Sequence, residues 1–155
     1  MIRKVFILLT ILGLLSHCGF TPLHSNKSVS NFSINSTSFE GDKTINNYLK
    51  INLDQFENNQ FKKKFDLLIK TDYEKNILSK DKTAKITNFK LSCISTILIN
   101  LNGKLVKEIK ISENRNMNNI DDEFEQQKKE RNIKQNFASS ISRKLITEMS
   151  ILYDN

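Results

Sequence analysis

Asn102-Gly103 stands between two runs in which every second residue is apolar. Both central residues of a type I′ turn need positive φ, which Asn tolerates and Gly adopts freely, so the pair predicts a two-residue β-hairpin. Upstream, Leu91, Cys93, Ile97 and Ile99 share one parity; downstream, Leu105, Lys107, Ile109 and Ile111 continue as the return strand, with Val106 on the other face. A strand of period two buries one face, so a chain built around this hairpin needs a second layer to cover it.

The same periodicity extends upstream. Phe65, Leu67, Ile69, Thr71 and Tyr73 alternate as a half-buried strand, and Glu74 to Lys82 reads as a polar connection to a long strand region from Thr83 to Leu101. Ala84 and Ile86 sit on the parity opposite to Leu91 and Cys93, which predicts a bulge or break near Asn88, because a slip of one residue exchanges the faces. Phe32 and Ile34 mark a weaker strand near residues 31–39. Gly41-Asp42 then supplies a turn and a helix N-cap. Ile45, Tyr48, Leu49, Leu53 and Phe56 recur every three or four residues, the stripe of a helix from about Lys43 to Glu57. Ser112 to Asn119 is Asn-rich and without periodicity. Asp121 or Asp122 caps a last helix whose stripe is Phe124, Ile133, Phe137, Ile141, Leu145, Met149 and Leu152, about 45 Å in length. The fold predicted is α+β, a two-layer sandwich with two helices packed on a four-stranded sheet in the order β-α-β-β-β-α.

Ahead of this domain, Arg3 and Lys4 precede the apolar run Val5 to Leu15, which at helical rise covers about 16 Å, too short to span a bilayer. A basic start, a short apolar core and a polar sequel describe a secretory signal peptide at residues 1–17. Residues 18–30 are then a polar tether and 31–155 the folded domain. Without residues 1–17 the chain keeps 22 basic and 17 acidic residues, a net charge of +5. Asn26, Asn31 and Asn35 match the glycosylation sequon, which chance explains in so Asn- and Ser-rich a chain.

Leu15-Ser16-His17-Cys18 resembles the lipobox of bacterial lipoproteins, in which the Cys sulfur receives a diacylglycerol, the leader is cut between His17 and Cys18, and the new amino end is acylated. His17 departs from the small residue usual there. Gly19, rather than the Asp of lipoproteins retained in the inner membrane, points to the outer membrane. Several acyl chains would anchor the protein durably where one holds only marginally. The stretch Cys18-Gly19-Phe20-Thr21-Pro22-Leu23 is similar to the start of the lipopolysaccharide-assembly lipoproteins (LptE), and the element order behind it is similar too. That resemblance implies an outer-membrane lipoprotein seated as a plug in a large β-barrel translocon, aiding its assembly and the delivery of lipopolysaccharide to the outer leaflet. Motif residues carry over at Cys18, Gly19, Phe20, Pro22 and Leu23 alone. The rival reading is a free-standing structural or adaptor lipoprotein with no transport role.

The residues for catalysis are sparse. His24 is the single histidine after the leader, no Gly-rich phosphate loop or nucleophile motif occurs, and Asp121-Asp122 reads as a helix start. No enzyme, cofactor or metal is expected. Thioether formation at Cys18 rules out a disulfide with Cys93, which reads as a small core residue. Of the 24 basic residues 20 are Lys, whereas nucleic-acid binding would favour Arg with interleaved aromatics. Lys62, Lys63, Lys64, Lys75, Lys80 and Lys82 are the candidates for meeting lipopolysaccharide phosphates.

Overall fold

The computed structural model describes residues 32–57, 61 and 63–154. They form β1 (Ser33–Gly41), α1 (Lys43–Asp54), β2 (Lys64–Lys80), β3 (Ile86–Leu101), β4 (Lys104–Asn118) and α2 (Glu123–Asp154), the predicted order. The sheet runs β1-β2-β3-β4, with β1 parallel to β2 and the other pairs antiparallel. Both helices lie on one face. Under them are Phe65, Leu67 and Ile69 of β2, Leu91, Cys93, Ile97 and Ile99 of β3, and Ile111 and Met117 of β4, all buried. Ile45, Leu49 and Leu53 of α1 and Phe137, Ala138, Ile141, Leu145 and Met149 of α2 complete the core. Phe32, at the entrance to β1, stacks on Phe56 at 6.0 Å and meets Phe65 edge-on at 5.9 Å between centroids.

The passage from β1 to α1 is set by local chemistry. Gly41 holds φ +94°, and a Cβ there would lie 1.9 Å from the Thr71 carbonyl oxygen, so only glycine lets the chain turn this close to β2. Asp42 caps α1 as predicted, its Oδ1 accepting from the Ile45 amide at 2.9 Å. Buried Asn46 donates to the Glu40 carbonyl, and its own oxygen accepts from the Thr71 hydroxyl at 2.9 Å, so the first turn of α1 is stitched to both strands. Asp122 caps α2 through the Glu125 amide.

Several boundaries differ from the sequence reading. Helix α1 stops at Asp54, and Phe56 packs from the turn that follows. Glu74 to Lys80 is not a connection but the outer part of a 17-residue strand. The true turn is 81–85, where Asp81 Oδ1 accepts from the Thr83 amide and hydroxyl and the Lys85 amide, and Ala84 takes a left-handed φ of 64°. Ser112 to Asn118 is likewise strand, held by pairing with β3 and buried through Met117. The irregularity predicted near Asn88 is present: register shifts fall where Ile77, Ser79 and Lys80 pair with Phe89, Asn88 and Ile86. The Asn102-Gly103 turn has φ of 52° and 75°, as a type I′ hairpin requires. A further shift, between Ile99 and Asn100, leaves Val106 as the extra residue of β4. It throws Leu105 off the helix-covered face, which on β4 begins at Lys107.

Candidate functional site

The lipobox and motif residues His17, Cys18, Gly19, Phe20, Pro22 and Leu23 lie outside the described residues, as does Lys62. The remaining lysine candidates do not converge. Lys63 and Lys64 stand at the start of β2, and Lys80 at its end, sixteen residues on and about 50 Å away at strand rise. Lys63 is engaged locally, its ammonium donating to the Tyr153 carbonyl at 2.5 Å and lying 4.8 Å from that ring. Lys75 is on the helix-covered face, where it bonds Glu130 Oε2 at 2.7 Å and lies 4.5 Å from the Phe89 ring. Lys80 and Lys82 are the exposed pair at the far tip. Beside them an open depression is lined by Asp81, Lys85, Asn88, Asn118 and Asp121. Lys85 is drawn to Asp121 at 2.9 Å, so the tip mixes both signs of charge.

The most connected polar group is one that sequence periodicity does not reveal. In the crevice between α1, α2 and β2, Lys134 bonds Asp42 Oδ2 at 2.7 Å and lies 3.8 Å from the Tyr73 ring centroid. The Tyr73 hydroxyl donates to Glu130 Oε1 at 2.8 Å, and Glu130 also holds Lys75. Burial and then the Glu130 carboxylate push the Tyr73 phenol up. Burial alone would raise Glu130, but hydrogen bonds from Lys75 and Tyr73 outweigh it and hold the carboxyl below its ordinary value. Cys93, directly across from Tyr73, is pushed up to about 12 by burial and by the nearby Asp42 and Glu113 carboxylates. Its thiol therefore stays protonated at neutral pH and acts as packing. These charges satisfy one another and tie both helices to the sheet; the network is a strut. Its sequence signal is Glu130 and Lys134 at i, i+4 on α2, opposite a strand carrying Tyr73 and Lys75.

The other face of the sheet carries no helix and is chemically mixed. Across the strands, Glu40, Lys70, Thr96 and Lys110 form one row, and Ser38, Leu68, Leu98 and Glu108 another. Asp66 there accepts from Ser36 and Asn35, whose hydrogen bonds lower its pKa. Among the described residues no group of three or more His, Cys, Asp or Glu is placed to hold a metal, and no helix is long and apolar enough to cross a membrane.

A mixed four-stranded sheet under a short and a long helix has close counterparts among solved structures. The rare lipoprotein B of Shewanella oneidensis superposes with a TM-score of 0.56 at 16% identity, covering 77% of this chain and 99% of that one. The fold is shared with bacterial lipoproteins. A minor lipoprotein of Acinetobacter baumannii gives 0.56 at 15% identity over 78% of this chain and 94% of its own. A lipoprotein B of Nitrosomonas europaea gives 0.52 at 13% over 78% and 88%. At these identities the likeness is one of fold. No protein-family model matches the chain, and no curated protein matches its sequence.

Proposed function

We propose that the protein is an outer-membrane lipoprotein, acylated at Cys18, that works with a large β-barrel translocon as its plug and assembly aid in delivering lipopolysaccharide to the outer leaflet. The observation that carries this reading is a fold shared with bacterial lipoproteins standing directly behind the Leu15-Ser16-His17-Cys18 sequence. The dimensions suit the role. Four strands at about 4.8 Å spacing, with a helical layer about 10 Å above, give a body roughly 20 Å across. A lumen that encloses a folded plug belongs to barrels on the order of 22 strands. The helix-free sheet face, with acids, lysines and isolated aliphatics interspersed, offers hydrogen bonds and ion pairs to a polar barrel wall. At the far tip, Lys80 and Lys82 would meet the phosphates of the saccharide lipid.

Affinity purification of the mature protein from outer membranes tests the reading. It predicts recovery with one large barrel protein, and loss of surface lipopolysaccharide when the lipoprotein is depleted. Recovery alone, with surface lipopolysaccharide unaffected by depletion, would favour the free-standing adaptor.

A further inference from the structure

Among the described residues the sheet leaves three stretches of strand edge unpaired: the outer side of β1, the outer side of β4, and β2 beyond Thr71. Two of them are guarded. Along β4, Lys104, Lys107, Lys110 and Arg115 break the edge with charge, and the Lys107–Glu148 and Lys144–Glu113 ion pairs, both at 2.6 Å, close the gap to α2. Along outer β2, register shifts between Ile77 and Lys80 interrupt the ladder, while Lys75 and Lys134 fill the helix side through Glu130 and Asp42. The β1 edge has no such device. Ser33–Gly41 contains no Pro, Lys or Arg, and from Ser36 to Gly41 its register is unbroken.

The free groups on this edge can be named. The Asp42 amide donates to the Thr71 carbonyl, so by the alternation of a parallel ladder Ser36, Ser38 and Glu40 turn their N–H and C=O toward β2. Thr37 and Phe39 turn theirs outward, and among the described residues neither backbone bonds a group outside the sheet. Thr37 Oγ1 is buried and also lacks a hydrogen-bond partner. The same side chain lines a cavity of about 70 Å³ beneath α1, walled further by Phe39, Lys50, Leu53, Asp54 and Glu57. That is more room than a single water needs. The chain without its leader is net positive, +5, yet this edge is acidic. Glu40, Asp54 and Glu57 stand against Lys50, which Asp54 already holds at 2.9 Å.

We infer that β1 accepts a fifth strand from the barrel partner, an extended basic segment projecting into the lumen. Its backbone pairs with Thr37 and Phe39. One of its side chains, small and polar, enters the cavity, where Thr37 turned by one rotamer meets it, and a Lys or Arg lies beside Glu57. Main-chain pairing supplies the affinity of such an added strand, and the pocket for an alternate side chain supplies its selectivity. A closed barrel has no free edge of its own, so the strand comes from a segment that leaves the wall. A second copy of this chain is the poorer occupant, because it would set the same carboxylates against one another. The inference rests on the plug reading and deepens it by naming the part of the domain that grips the barrel protein. An added strand widens the sheet in its own plane by about 4.8 Å and leaves the helix-free face open to the wall.

The test uses the affinity-tagged, acylated full-length protein purified from outer membranes, with Thr37→Val and Thr37→Pro beside the native chain, and urea titration of each free protein. Thr37→Val keeps the shape and deletes the unpartnered hydroxyl. The free protein should be as stable as native or more so, while recovery of the barrel protein falls roughly fivefold. Thr37→Pro removes an outward N–H that β2 does not use, so the protein should fold and recover no barrel. If Thr37→Pro does not fold, the opposed effects of Thr37→Val decide alone. A benzophenone side chain in place of Ser38 should crosslink to a Lys- or Arg-bearing segment of the barrel protein. Native recovery with the variants would overturn the inference and leave the plug standing. Crosslinks between two copies of this chain would overturn it as well. Native protein that brings down no barrel contradicts the plug, and this inference with it.

Discussion

The half of the sheet beside Phe32 and the arm that ends at Lys80 are made from the same strands but held by different forces. In the tethered half β1 pairs with β2 up to Thr71 with one register shift at Asn35, both helices lie overhead, and Phe65, Leu67, Ile69, Ile97 and Ile99 are sealed from solvent. Beyond Thr71, β2 has lost β1, and Glu74 through Leu78 are all exposed. The arm is carried by its ladder to β3 and β4 and by a small apolar seal of Leu91, Phe89 and Met117. Local stability follows burial more closely than hydrogen-bond number, because protein–protein hydrogen bonds largely replace protein–water ones. The tethered half is therefore the rigid body and the arm its extension.

Disrupting the tethered half should do the most damage. Phe65→Ala removes a ring that touches Phe32 at the junction of β1 and β2, and should lower unfolding free energy by about 3–5 kcal/mol in urea titration. A loss under 1 kcal/mol would mean that the burial gradient is wrongly placed. The strut joins the two regions and should come next. Lys134→Met leaves Asp42 without its cation and should cost about 2 kcal/mol, below the ~3–5 of a fully buried pair because both side chains keep some water.

Glu130→Gln sharpens the comparison through pH. The native carboxyl titrates below its ordinary 4.5, so the unfolded chain takes up the proton first as pH falls. The stability contributed by Glu130 is fully present above about 4.5 and is lost as pH drops through the lower native value. The variant should therefore be less stable than the native protein by roughly 1–2 kcal/mol at neutral pH, with the gap closing in acid. A gap that stays constant with pH would show that the carboxylate charge plays no part. The smallest effect belongs to the arm's tip. Lys80→Ala with Lys82→Ala should change stability by no more than ~0.5 kcal/mol while weakening any association with phosphate-bearing lipid. A large loss of stability would make these lysines structural.

The contrast also explains what was legible in the sequence. Phe65 to Tyr73 and Leu91 to Ile99 show their strands because one face is buried, and burial is what alternation records. Glu74 to Lys80 and Ser112 to Asn118 are equally extended, yet their side chains mostly face water, so the ladder that holds them leaves no mark on composition. Asn102-Gly103 and Asp42 were readable because positive φ and helix capping demand particular side chains. That Lys63 and Lys80 stand at opposite ends of β2 was not legible for a different reason: residues modestly separated in sequence become distant when a strand extends by over 3 Å per residue. Leu105 and Val106 escaped because a bulge overrides parity, and only the pairing of Asn100 and Ile99 reveals it.

The claim beneath all of this is that the domain hangs from an acylated Cys18, and intact mass analysis of the mature amino terminus addresses it directly. The account predicts a chain that starts at Cys18 and carries the added mass of diacylglycerol and an amide-linked acyl group. A mature chain that starts at any other residue, or one that starts at Cys18 with an unmodified thiol, would contradict it.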